Sequence, residues 1–599
     1  MIKLSDYVIK RLKEKYNVQR VYMIPGGGAM HLNDSIGQYI PYVCNHHEQG
    51  CAFAAEGQAR YTNDLAVVCT TSGPGALNAV TGVFGQWTDS VPVLYISGQI
   101  KRQTLMATYP ELKIRQIGDQ EVDIISVVKS ITKYAVCVTK PEEIRYHLDR
   151  AIYEATNGRR GPVWLDIPLD VQGMPVDENN LIDFIPPENE KYDLKIDEVT
   201  EKLQNSKRPL IVAGYGVRIS EQISLLKKFV SDYNLPLVTT FNGVDIIEDN
   251  NPNYTGRIGT VGQRAGNFAL QNSDCILFLG TRNNIRQASY NWEAFGDKAF
   301  KIVVDIDKAE LEKPTVKPDL GVNADLKEFL PELCRQNIKF NPDPEWLDFC
   351  KKLKEKYDFY HTEAYKQKTK VINPYHFFRR LFETAPEQSA IVTGNGTACV
   401  VSYQTGLIKK GTRLFYNSGN ATMGFDLPAA IGVSCSDNKR EVIVITGDGS
   451  IMMNLQELQT IKNLNLPIKI FVINNDGYIS MKQTQGNFFN GRLTAADSSS
   501  GVICPDFVKL AKGFGIKGVK ISKPSEIDKK IKKVLTYKEP VICEVMTEKN
   551  YIFQPKLSSK KLEDGTMVSS RLEDMFPFLD REEFKENMID GQKGMQMAE

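Results

Sequence analysis

Two short segments late in the chain carry oxygen donors at a spacing that suits a hard divalent cation. The first is Gly447-Asp448-Gly449-Ser450, at the end of the apolar run Val442 to Thr446. The second is Asn474-Asn475-Asp476-Gly477, at the end of Ile468 to Ile473. Apolar runs of this length that end in Gly or Asn read as buried strands. Neighbouring parallel strands would set both loops side by side, where α/β proteins bind ligands. Mg²⁺ takes oxygen ligands in octahedral geometry and shares them with phosphate. Asp448 offers a carboxylate, Asn475 an amide oxygen, and Gly477 a backbone carbonyl in a turn that glycine tolerates. A helix expected from about Ile451 would direct its positive end at the phosphates. A further carboxylate, Glu48, stands in Asn45-His46-His47-Glu48-Gln49-Gly50, after a short strand and before a helix expected from about Ala52. Taken alone it suits a helix N-terminus, where negative charge favours the dipole.

The elements that must position these groups come in two copies. Ala66 to Asn78 (AVVCTTSGPGALN) and Val442 to Asn454 (VIVITGDGSIMMN) each read as a buried strand, a Gly-x-Gly turn and a helix. Gly73 and Gly447 are 374 residues apart, and Val91 and Leu466, each before a Pro and a second strand, are 375 apart. Upstream, Ala54-Ala55-Glu56-Gly57 faces Ala429-Ala430-Ile431-Gly432 at the same offset. One offset over two stretches implies two copies of one α/β domain. A third α/β region lies between them, after the Pro- and acid-rich linker Ile185 to Asp193. The expected class is α/β, with three doubly wound parallel sheets. The expected domains are 1–178, 190–340 and 371–550, preceded in the last case by a charged helical stretch from Pro344 to Lys370. Residues 551–599 are a tail, read as a lid, an arm on a neighbouring subunit, or partly disordered.

Whole-chain quantities exclude several classes. At 599 residues the chain exceeds one core. A net charge of +1 with no basic stripe argues against nucleic acid and anionic membranes as partners. No apolar run approaches a membrane span or a signal h-region. Eleven scattered cysteines without a Cys-x-x-Cys pair suit reduced thiols in a cytoplasm.

Gly447 to Asn475, as Gly-Asp-Gly followed by Asn-Asn, resembles the signature of the thiamine-diphosphate-dependent enzymes. The resemblance implies thiamine diphosphate and Mg²⁺ as cofactors, with Asp448, Asn475 and Gly477 on the metal. It implies that Glu48 touches the cofactor's aminopyrimidine ring and favours the tautomer that activates the thiazolium. Ser72 to Gly75 resembles the Ser-Gly-Pro-Gly turn downstream of that glutamate. The implied cofactor set is Pro25, Gly26, Glu48, Ser72, Asn78, Gly394, Asn395, Gly396, Met423, Gly447, Asp448, Gly449, Ser450, Asn475, Gly477 and Tyr478. The two copies become pyrimidine and diphosphate domains, one from each of two subunits. At least a homodimer follows, with a tetramer left open.

Nearly the whole chain resembles acetolactate synthase and its relatives. Ala421 to Pro428 is similar to the segment whose methionine, here Met423, bends the cofactor. Asp119-Gln120-Glu121 is similar to a stretch whose glutamine lines the substrate pocket. Gly280-Thr281-Arg282 is similar to Gly-x-Arg, whose arginine would hold an acceptor carboxylate bidentately; a surface arginine is the other reading. The middle domain carries FAD in acetolactate synthase, and Gly214-x-Gly216 with Asp305-Ile306-Asp307 could hold a nucleotide or be ordinary turns. The implied reaction is decarboxylation of a 2-oxo acid, pyruvate first, with transfer of the two-carbon unit to a carbonyl acceptor. Simple decarboxylases use a histidine pair downstream of the glutamate, and no histidine falls between His47 and His147. A plain decarboxylase, a pyruvate oxidase and a non-catalytic cofactor-binding protein are the alternatives.

Two departures bear on the acceptor. Asp426 replaces the usual glycine, and Thr484 falls where acetolactate synthases carry a tryptophan around a small acceptor. Gly477 to Phe489 (GYISMKQTQGNFF) is more similar to surface-polysaccharide enzymes of the yersiniose type, whose acceptor is a nucleotide-linked keto-sugar. A second 2-oxo acid and a keto-sugar both stand as acceptors.

Overall fold

Valine- and isoleucine-rich runs supply the strands of three six-stranded sheets, all of whose pairings are parallel. The computed structural model describes residues 1–188, 191–366, 368, 370–437, 441–561, 564 and 567–589. Parallel strands need crossover helices that cover both faces, so both faces of each strand must be apolar. Ile443, Val444, Ile445, Ile470, Phe471 and Val472 are accordingly inaccessible to solvent. Each such side chain contributes roughly 1.5–3 kcal/mol by leaving water.

The first sheet contains Val21–Met23, Tyr42–Cys44, Ala66–Thr70, Val93–Gln99, Tyr134–Cys137 and Val163–Pro168. The third contains Ala390–Thr393, Arg413–Phe415, Val442–Gly447, Ile468–Asn474, Lys517–Ile521 and Val541–Met546. Numbered along the chain, both sets lie across their sheet in the order 2-1-3-4-6-5. The middle sheet, between Pro209–Ala213 and Leu320–Asn323, runs 3-2-1-4-5-6. The α/β class with three doubly wound sheets is therefore observed, and the offset read in the sequence is a repeat of topology.

The two copies meet through their equivalent helices, Glu48–Thr62 and Asp426–Ser436. A Cβ on Gly57 would stand 2.1 Å from the Ala429 carbonyl oxygen, and one on Gly432 would stand 1.8 Å from that of Ala54. The contact is reciprocal at one offset, and main chain meets main chain. Beside it Arg60 pairs with Glu56 at 2.9 Å and with Asp89 at 2.6 Å, all three buried.

The charged stretch from Pro344 forms one helix, Trp346–Lys356, and then short turns. The tail lies along the middle domain. Asn267, Gln271 and Asn272 of the helix Arg264–Asn272 donate to Leu572 O at 3.0 Å, Glu573 at 2.7 Å and Asn587 O at 2.8 Å. Positions 189–190 of the expected linker, 367 and 369, and the tail's last residues, 590–599, lie outside the described residues. No helix among the described residues is long and apolar enough to cross a membrane.

Candidate active site

In the third sheet the first and third strands are neighbours, and the chain winds away from them in opposite directions. Ligands bind at the carboxyl ends of such a switch point. Gly394-Asn395-Gly396 leaves the first strand there, and Gly447-Asp448 leaves the third. The helix expected from Ile451 begins earlier: Asp448–Ile451 is a short α-helix, continued by a 3₁₀ turn over Met452–Asn454. Asp448 is 1% exposed. Its Oδ1 accepts the N–H of Gly449 at 2.8 Å, and its Oδ2 those of Gly477 at 2.9 Å and Asn475 at 3.2 Å. Burial raises its pKa, and these N–H groups oppose the rise.

Asn475 is fixed by its nitrogen, which donates to Thr397 Oγ1 at 3.0 Å and to Tyr551 OH at 3.2 Å. Its Oδ1 is buried and has no hydrogen-bond partner among the described residues. Leaving such an acceptor unpaired costs about 1–3 kcal/mol, which a ligand would offset. Under the same loop, Lys482 Nζ donates to the carbonyls of Lys549, Asn475 and Asp476 at 2.9, 3.0 and 3.2 Å. Gly477 has φ +97°, and a Cβ there would stand 2.4 Å from Ala496 O, so only glycine fits. A buried carboxylate beside a buried, unpaired amide oxygen is a donor set that fits Mg²⁺.

Asn395, Gly396, Met423 and Tyr478 line the same cleft as these two loops, Ser450 included. Asn395 Nδ2 donates to Thr422 O at 2.6 Å, which holds the Met423 segment. The Tyr478 ring covers Gly449, where a Cβ would stand 2.2 Å from it. Gly394 lies behind, packed on Asp426. Ser450 Oγ accepts the Gly424 N–H at 3.0 Å and donates to Asp426 Oδ2 at 2.9 Å. Asp426 is fully buried, its Oδ1 has no partner among the described residues, and burial pushes its carboxyl up to about 6.

The other expected residues gather at the carboxyl end of the first sheet. Glu48 itself opens the helix expected from Ala52, and His47 Nδ1 caps it by accepting the Gln49 N–H at 3.1 Å. Asn78 Nδ2 donates to Glu48 Oε2 at 3.0 Å. Gly26, after Pro25, presses on Thr71, and Gly28 on Ser72. Gln120 has φ +59° and lays its carbonyl over Gly73. Its neighbour Glu121 holds that loop by accepting the N–H groups of Ile117 at 3.0 Å and Gly118 at 3.2 Å. Within one chain, none of Pro25, Gly26, Glu48, Ser72, Asn78 or Gln120 lines the Asp448 cleft. The third domain nevertheless holds the Glu48 loop from behind. Buried Glu457 accepts Asn45 Nδ2 at 2.8 Å and the His46 N–H at 2.9 Å.

Within one chain Arg282 lines the middle domain's cavity with Asp305 and Ile306 and is not among the residues around the Asp448 cleft. One helical turn later Arg286, on Ile285–Ala288, borders both spaces. Between the strand and this helix the chain turns at Gly280 (φ +58°) and Asn283 (φ +40°). Gly214 and Gly216 are required by the close approach of Gly280, where their Cβ atoms would stand 2.2 and 2.7 Å from its backbone. Sequence reasoning missed Glu457, Lys482 and Arg286. Only Arg286 left a signal, an arginine four residues after the one chosen.

Comparison with known proteins agrees with this geometry. Residues 2–126 match the N-terminal TPP-binding domain of thiamine pyrophosphate enzymes, 196–333 their central domain, and 394–545 their C-terminal TPP-binding domain. The chain is 33% identical to the acetolactate synthase large subunit of Lactococcus lactis subsp. lactis (strain IL1403), over 91% of this chain and 92% of that one. It is 31% identical to the acetolactate synthase large subunit of Cyanidium caldarium, over 92% and 94%. It is 29% identical to the acetolactate synthase isozyme 2 large subunit of Escherichia coli (strain K12), over 90% and 95%. With its two switch-point clusters and these relatives, the chain belongs to the thiamine pyrophosphate enzymes and is a thiamine-diphosphate-dependent carboligase or lyase of the acetolactate synthase-like group.

Proposed function

We propose that the protein decarboxylates a 2-oxo acid, pyruvate first, and joins the remaining two-carbon unit to a second carbonyl compound. The observation that carries this reading is the buried, unpaired Asn475 oxygen beside buried Asp448, in two residues that line a cleft whose wall includes Met423. Asp448, Asn475 and the Gly477 carbonyl would hold Mg²⁺, and the cofactor's diphosphate would share it. Thiamine diphosphate, when bound, supplies the nucleophilic carbon and the electron sink for decarboxylation. Glu48, steadied by Asn78, would hold a proton against the aminopyrimidine ring of the bound cofactor. Gln120 and Arg286 orient the substrates.

Glu48 and Asp448 belong to different openings of one chain, so a second copy completes the site. Exposed apolar side chains support this on both halves: Leu77, Phe84 and Trp87 on the first domain, and Met452, Met453 and Phe488 on the third. Large apolar side chains left exposed on both halves suit burial in an interface. The proposed assembly is at least a dimer. The middle cavity, bordered by Gly216, Arg282 and Asp305, is the proposed place for FAD as a structural ligand; a flavin absorbance in the purified protein tests it.

The acceptor is a second 2-oxo acid or a nucleotide-linked keto-sugar. Thr484, a small exposed residue of the helix Ile479–Phe488, favours room for the larger one. An NMR time course of pyruvate with and without thiamine diphosphate and Mg²⁺ tests the reaction. Cofactor-dependent acetolactate supports the carboligase with pyruvate as acceptor. Consumption that needs an added keto-sugar supports the larger acceptor, and no pyruvate turnover under either condition refutes the proposal.

A further inference from the structure

One wall of the cleft comes from neither copy. Thr260 donates its N–H and hydroxyl to the Arg286 carbonyl at 3.3 and 2.9 Å, and its own carbonyl accepts the Leu557 N–H at 2.7 Å. The tail is thereby joined to the middle domain next to Lys556. The Lys556 backbone pairs with Phe576, N–H to O at 2.9 Å and O from N–H at 2.8 Å. Gln404 Nε2 holds the adjacent Pro555 carbonyl at 2.6 Å. With its main chain held in this way, Lys556 presents its side chain to the cleft that contains Asp448 and Met423.

The ammonium has little to pair with there. Among the described residues its hydrogen-bond partner is Gln483 Oε1 at 3.2 Å, a neutral amide whose nitrogen is committed to Tyr551 O at 3.1 Å. No carboxylate among the described residues forms an ion pair with it, and partial burial lowers its pKa. Arg286, stacked 4.9 Å over Phe241, borders the same cleft and also forms no ion pair among the described residues. The cleft's own carboxylate, Asp448, already accepts backbone N–H groups. Two cations held on one wall without a counterion are poised for an anion, and charge-assisted hydrogen bonds would offset their desolvation.

We infer that Lys556, beside Arg286, receives an anionic group of the carbonyl acceptor, a carboxylate or a phosphate, and so determines which acceptor is taken. The inference rests on the carboligase reading, but its test does not need turnover. Calorimetry on the protein with thiamine diphosphate and Mg²⁺ would compare glycerol 3-phosphate and D-lactate with uncharged glycerol. At least one anion binds more tightly than glycerol, and Lys556→Met weakens it about tenfold, the size expected for one charge-assisted hydrogen bond. Lys556→Arg retains most of that affinity. Preference for glycerol 3-phosphate assigns a phosphorylated acceptor, and preference for lactate assigns a 2-oxo acid. Equal anion affinity in wild type and Lys556→Met, or no preference over glycerol, overturns the inference. Release of ¹³CO₂ from labelled pyruvate by the wild type is followed separately. Its absence counts against the carboligase reading and leaves the anion titration to decide Lys556.

Discussion

The first and third domains share a strand order, a switch point and a reciprocal helix contact, yet they present opposite chemistry. After its third strand the third domain offers Asp448 and, one strand over, the unpaired oxygen of Asn475. After its equivalent strand the first domain offers Ser72-Gly73-Pro74-Gly75, which carries no carboxylate. Its acid is Glu48, from the helix that follows the second strand. Carboxyl-end loops on one scaffold thus arrive at the same place, and what they hold is decided by a few side chains and the groups that orient them. Around the third domain's loops Thr397, Lys482 and, from the start of the tail, Tyr551 do that orienting; in the first, Asn78 and Glu121 do.

Exchanging the roles of the two carboxylates should fail in different ways. Glu48→Gln keeps shape and loses the proton, so pyruvate turnover should fall by about 10²–10⁴-fold, with thiamine diphosphate still bound by calorimetry. Near-normal turnover would remove the chemistry from the first domain. Asp448→Asn should instead weaken Mg²⁺-dependent cofactor binding by more than the roughly 10–100-fold typical of outer-shell losses. A cofactor titration that left affinity unchanged would remove the metal from the third domain.

The shared seam should respond in stability rather than in rate. Gly432→Ala forces a Cβ against the Ala54 carbonyl and should cost about 3 kcal/mol, seen as an earlier thermal transition. No shift would mean that the two helices are not in contact as described. The smallest effect concerns Asp426, the first residue of its helix as Glu48 is of the first domain's. Its folded-state pKa, about 6, lies above the ordinary carboxyl value of 3.8. The folded protein therefore holds this proton more tightly than the unfolded chain does. The associated stability is complete below about pH 4 and is lost as pH rises through about 6. Relative to wild type, apo Asp426→Asn should gain on the order of 1 kcal/mol between pH 5 and pH 8. A pH-independent difference would refute the assignment.

What could be read in advance was local. Gly447 to Gly477 carries its chemistry in adjacent residues on adjacent strands, so spacing alone brought Asp448 and Asn475 together. The offset between Gly57 and Gly432 was legible for the same reason, as a repeated pattern of small residues. The start of the Glu48 helix was misplaced by four residues, because the cap is a histidine ring nitrogen rather than a usual Ser, Thr, Asp or Asn. Glu457 holding Asn45, and Lys556 reaching the cleft, depend on contacts between distant segments and left no trace in spacing. Arg282 and Arg286 are a turn apart on irregular backbone, where no period says which one faces the site.

The reciprocal glycine contact also bears on how such proteins can be taken apart and rebuilt. At its centre the seam is backbone against backbone, and around that centre side chains add their own terms: Glu457 accepts from Asn45, Arg413 donates to the Arg60 and Tyr61 carbonyls, and Phe53 meets Phe425 edge to face. A first domain grafted from a distant relative should therefore dock only where the donor keeps a glycine at the position of Gly57 and side chains that match Asn45 and Phe53.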